Sequence, residues 1–111
     1  MAAPLPYRTT PLFDETTLPQ ALRREHSTKA GVWGIIRVLE GRLRLDFADG
    51  TASQVLTPAQ PGFIAPQQLH QVEPLEPMRM QVEFYNRPPN ARLSAESRML
   101  QRGIDGAAAR I

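Results

Sequence analysis

From Val32 onward, apolar stretches alternate with polar, glycine or proline breaks at intervals too short for helices. The run Val32-Trp33-Gly34-Ile35-Ile36-Arg37-Val38-Leu39 lies between Gly31 and Glu40-Gly41, and its β-branched and aromatic content predicts a strand. Residues 42–47 then alternate with a period of two. Leu43, Leu45 and Phe47 share one face; Arg42, Arg44 and Asp46 share the other, the pattern of a half-buried strand. Asp49-Gly50 predicts a type I′ hairpin turn, which needs positive φ at both central residues, with a return strand over residues 52–56. A second turn over residues 58–62 leads to strands at 63–65 and 69–73, separated by Pro66 and closed by Pro74 and Pro77. The last strand, residues 78–85, places Met78, Met80, Val82 and Phe84 on one face and Arg79, Gln81, Glu83 and Tyr85 on the other. Before Val32 the chain is extended and interrupted by Pro4, Pro6, Pro11 and Pro19, each of which blocks regular helix. Residues 20–26 allow two helical turns at most. After Pro88-Pro89, residues 94–102 predict a short C-terminal helix ending at Gly103, where glycine favours a helix stop. About six or seven short strands at this spacing predict an all-β sandwich or barrel.

Composition narrows this to one small domain. A chain of 111 residues buries roughly 60–70% of its unfolded surface, enough for a single modest core. The chain has no cysteine, so disulfides and thiolate chemistry are excluded. The net charge is +2, and twelve of the thirteen basic residues are arginine. The longest basic cluster, Arg23-Arg24, runs straight into Glu25, so no nucleic-acid-binding arm is visible. No apolar run approaches the ~18 residues of a membrane span, and the N-terminus lacks the basic and hydrophobic regions of a secretory signal. A cytoplasmic protein is the expectation.

Few chemistries remain. Glycine-rich nucleotide loops are missing, and with them the dinucleotide and Walker-type sites. Lys29 is the one lysine, and nothing singles it out for a Schiff base. His26 and His70 are the only histidines, 44 positions apart. If the sheet closes they can meet, and with Glu83 they would form a two-histidine, one-carboxylate set for a divalent metal such as zinc or iron. Each residue also has a plainer reading: hydrogen-bonded histidines at strand ends, an ion-paired Glu83, and Trp33 in the core. Arg42 and Arg44 read either as a solvated strand face or as an anion-binding barrel mouth.

The stretch Gly62-Phe-Ile-Ala-Pro66-Gln-Gln-Leu-His70 resembles the second cupin motif, with Gln68 where a glycine is usual. A wider set resembles the small domain shared by YeaR-type proteins and the N-terminus of the tellurite-resistance protein TehB. It comprises Leu5-Pro6-Tyr7, Phe13, Leu18-Pro19, Glu25-His26-Ser-Thr28-Lys29-Ala-Gly31-Val-Trp33-Gly34, Gly41, Pro66-x-x-x-His70 and Val82-Glu83-Phe84-Tyr85. The resemblance spans residues 4–85. It implies a cupin-like double-stranded β-helix (jelly-roll barrel), with one domain over residues 1–111, a core over 4–86 and a tail over 87–111. A cupin's first motif carries two histidines and a glutamate; here only His26 is present, and Gly34 falls where the glutamate would be. The implied function is a stand-alone barrel binding a divalent metal through His26, His70 and Glu83, with a small anionic ligand, associated with tellurite, oxidative or nitrosative stress. No residue selects a reaction, so enzymatic activity is left open. The alternative is a metal-free homodimeric module for ligand sensing or protein interaction. TehB's methyl transfer resides in a following S-adenosylmethionine domain, so this chain alone is not expected to transfer methyl groups.

Overall fold

The computed structural model describes residues 5–89. It is all-β: β1 (Arg8–Thr9), β2 (Phe13–Asp14), β3 (Trp33–Glu40), β4 (Leu43–Phe47), β5 (Gln54–Leu56), β6 (Gly62–Ile64), β7 (His70–Pro74) and β8 (Arg79–Tyr85), with a single 3-10 turn at Gln20–Arg23. The strands form two antiparallel sheets. One runs β1-β8-β3-β6, with β2 also paired to β8, and the other runs β5-β4-β7.

The period-two faces decide where the core lies. Leu43, Leu45, Leu56 and Val72 of the smaller sheet meet Ile36, Val38, Ile64, Met80 and Val82 of the larger one. Fully burying one such side chain stabilises by roughly 1.5–3 kcal/mol. The sheets pack tightly at Gly62, where an added Cβ would lie 2.8 Å from both Leu45 Cδ2 and Leu56 Cδ1. The β3–β4 turn is set by Gly41, at φ +78° with Pro77 O and Met78 against its backbone. The β3–β8 register shifts between Val38 and Glu40. There, Leu39 is exposed beside a buried Val38, because successive side chains of a strand point to opposite faces.

Four expectations change. The sheets do not close into a barrel; they stand as two separately paired layers, so the closed jelly roll gives way to an open two-sheet arrangement. Asp49-Gly50 is not a two-residue hairpin: Gly50 alone of the pair has positive φ, at +92°. Pairing begins only at Leu45↔Gln54, because Ser53, Thr51 and Asp49 satisfy polar groups locally and widen the loop. The N-terminal arm is not merely extended: β1 and β2 both pair with β8. Between them Thr10 N donates to Val82 O, and Thr10 Oγ1 accepts Val82 N–H at 3.0 Å, so a hydroxyl carries the ladder up to Pro11. The helix at 20–26 is reduced to the four-residue 3-10 turn. The C-terminal helix expected at 94–102 lies outside the described residues.

Candidate functional site

His70 opens β7, directly after a turn in which Gln68 N donates to Ala65 O at 3.1 Å and Gln67 sits at φ 61°. On one side His70 pairs with Phe47 of β4. On the other it meets His26: each backbone N–H donates to the other's carbonyl at 2.9 Å. This isolated antiparallel bridge brings the two imidazoles to a centroid separation of 4.1 Å with planes at 53°. The two histidines, which the sequence let meet only if the sheet closed, thus meet through this bridge without a closed barrel.

The tautomers follow from the ring contacts. His70 Nδ1 faces Gln68 O at 2.8 Å and His26 Nδ1 faces Arg24 O at 3.1 Å. A carbonyl only accepts, so each Nδ1 carries a hydrogen, and in His70, held uncharged at neutral pH, Nε2 keeps its lone pair. Neither Nε2 has a hydrogen-bond partner among the described residues. His70 is 4% exposed. Burial lowers its pKa to about 4, with neighbouring His26 adding to the effect and the bond to Gln68 opposing it. At neutral pH His70 is uncharged.

Both rings line a cavity of about 140 Å³ between the sheets. Its walls are mainly apolar, including Ile36, Ile64, Val72, Met80 and Phe84, and Thr10, Ser27 and Thr28 add hydroxyls. Sequence reasoning missed these three hydroxyl residues as lining, although Ser27 and Thr28 lie within the quoted His26–Gly34 run. Thr28 also positions the wall, since its Oγ1 donates to Val32 O at 2.7 Å and accepts Gln67 N–H at 3.3 Å.

Glu83 does not join the histidines. Met80, Val82 and Phe84 face the cavity, so the intervening Glu83 points to the other face of the sheet. There its Oε1 accepts from Arg37 Nε at 3.1 Å and from the Tyr85 hydroxyl at 2.9 Å. Among the described residues no group of three histidine or acidic side chains is placed to hold a metal ion. The divalent-metal centre at His26, His70 and Glu83 is thus corrected on geometry. Arg42 and Arg44 lie on the solvated strand face and pair with Glu76 and Asp46 at 3.4 and 3.0 Å. Trp33 is half-buried outside the main core and lines a second, wider groove with Phe47, Phe63 and Gln68. Among the described residues no helix is long and apolar enough to cross a membrane.

These features define a small antiparallel two-sheet domain with a mainly apolar cavity and two histidine rings, one of them the buried and uncharged His70, in its wall. Residues 8–82 match the TehB-like domain, and the chain belongs to that family. It is 35% identical over 74 residues to the probable S-adenosyl-L-methionine-dependent methyltransferase TehB of Haemophilus influenzae Rd, an overlap of 62% of this chain and 26% of that protein. The protein of the same name from H. influenzae strain 10810 is 34% identical over the same length. The chain thus spans about a quarter of the length of the curated relatives it matches. The crystal structure of H. influenzae TehB superposes with a TM-score of 0.67 at 25% identity, covering 87% of this chain and 40% of that one. A crystal structure of an Escherichia coli K12 protein shares the fold, with a TM-score of 0.68 at 20% identity over 76% of this chain and 91% of that one. The expectation of a metal-binding cupin gives way to a domain related to methyltransferases.

Proposed function

We propose that this chain is an accessory ligand-binding β-domain of a TehB-type methyl-transfer system, recognising a small molecule in the His26–His70 cavity. The observation that carries the reading is the 35% identity to a methyltransferase, in a domain whose half-buried His26 and buried His70 line a mainly apolar cavity. A cupin ancestry, with the barrel opened into two sheets, belongs to the same proposal.

The methyl donor named in the relatives does not fit the described residues. A drug-sized ligand takes a pocket of roughly 300–1,000 Å³, and the cavity between the sheets is about 140 Å³. The second groove is larger, about 480 Å³, but has no acidic side chain in its wall for ribose hydroxyls. Both sheets are antiparallel, so the parallel-sheet switch point that commonly receives nucleotides is missing among the described residues. The donor is therefore assigned to a methyltransferase unit outside them, and this domain to ligand recognition.

Grafting tests this reading. Residues 8–82 would replace the aligned segment of H. influenzae TehB, with donor turnover followed using tellurite as acceptor. The graft should retain turnover, whereas deleting the segment should lower it with donor affinity unchanged. Equal turnover by wild type, graft and deletion would overturn the proposal, as would tight binding of S-adenosyl-L-methionine to this chain alone.

A further inference from the structure

The wall of the between-sheet cavity specifies its occupant more closely than the family does. Its volume, about 140 Å³, is close to that of an engineered apolar cavity of roughly 150 Å³ that stays dry and takes benzene. His26, Ser27, Thr28 and His70 come to its wall through the His–His bridge and the loop after it, and Thr10 joins them from the N-terminal arm. Among the described residues no lysine, arginine, aspartate or glutamate lines it. A charged ligand would lose its hydration without a counter-charge, which is costly in an apolar site.

The two imidazoles add direction. Each Nδ1 hydrogen is already committed to a backbone carbonyl, so the other nitrogen of uncharged His70 presents a lone pair. An anion would face that lone pair and be repelled, while a pure hydrocarbon would leave the acceptor of a 4%-exposed His70 unsatisfied, which costs stability in a buried site. A neutral molecule with one good hydrogen-bond donor meets both conditions. The low pKa of His70 keeps the acceptor uncharged throughout the neutral range.

We propose that the cavity binds a neutral, benzene-sized ring bearing one hydroxyl, the phenol class, with the O–H donated to an imidazole Nε2 and the ring packed against Ile36, Ile64, Val72 and Phe84. This deepens the accessory-domain reading and rests on its claim that the cavity is a ligand site.

The experiment titrates the full chain with phenol and with fluorobenzene, which has nearly the same shape and no donor. The imidazole ¹⁵N resonances of His26 and His70 are the readout. Phenol should bind saturably and move an Nε2 resonance, and fluorobenzene should bind about tenfold more weakly, the worth of one good hydrogen bond. Val72→Phe, which fills the cavity, should abolish binding of both while amide dispersion shows the chain still folded. No saturable phenol binding up to about 10 mM, a limit set by affinity arithmetic for a weak ligand, would overturn the proposal. So would equal affinity for fluorobenzene, or phenol shifts confined to the groove beside Trp33. The titration uses neither methyl donor nor graft. Phenol binding beside an inactive graft would retire the methyl-transfer role alone, and an active graft without phenol binding would retire the ligand class alone.

Discussion

Gly41 shows how much one residue can decide. Its φ of +78° is a left-handed conformation, which costs an L-residue roughly 1–2 kcal/mol, and a Cβ there would come within 2.8 Å of Met78 Cβ and collide with Pro77 O. Gly41→Ala should destabilise the chain by about 2–4 kcal/mol, since backbone strain and overpacking act together. A lower urea midpoint at unchanged m-value would show it, and an unaltered midpoint would refute it. Among the site residues, the histidines were legible because both lie in recognisable runs and few other chemistries survived the composition. Glu83 was misplaced for a reason the sequence already contained. It alternates with Met80, Val82 and Phe84, and a side chain out of phase with the core face cannot reach a site on that face. Thr10 was not legible at all, because its role as a ladder acceptor exists only once Val82 lies beside it.

Among the elements, the pairing of β7 with the segment at His26 links stability to acidity. An unfolded imidazole takes its proton near 6.5, whereas folded His70 resists it until about pH 4, chiefly through burial. Between those values the unfolded chain binds more protons, so stability is complete above about pH 6.5 and falls as the pH drops towards 4. The full loss is on the order of 3 kcal/mol, from about 1.4 kcal/mol per pKa unit. Urea midpoints measured at pH 7 and at pH 4 should differ accordingly, and His70→Gln should flatten the difference. A wild-type profile already flat across this range would contradict the burial argument. Strands β3, β4 and β8 were legible because each carries enough period-two positions to define a face. The two-residue strands β1 and β2 were not, since neither has a pattern of its own and both exist by pairing with β8. The loop at Asp49-Gly50 misled for a related reason: a strong local turn signal was outweighed by side-chain bonds from Asp46 and Asp49.

At the scale of the whole molecule, the spacing of the sheets is set where Gly62 passes Leu45 and Leu56. Gly62→Ala should force these leucines off their rotamers and destabilise by about 1–3 kcal/mol, the usual cost of overpacking. A lowered thermal midpoint together with altered ligand access to the cavity is the expected result; an unchanged midpoint would mean the sheets slide apart freely. The all-β class was legible from strand spacing alone, but closure was not. Whether strands join into a barrel or stop as two sheets depends on pairing between residues far apart in sequence, which periodicity does not encode.

The attachment of both N-terminal strands to β8 has a consequence for biosynthesis. Arg8 finds its partner in Phe84 and Phe13 in Met80, so the arm leaves the ribosome well before the strand that satisfies it. At about 5–20 residues per second, the arm waits several seconds with its backbone unpaired until β8 emerges. Contacts this distant in sequence also slow closure itself. During that interval the nascent arm is accessible to chaperones, and substitutions that weaken β8 would lower soluble yield before they altered the finished fold.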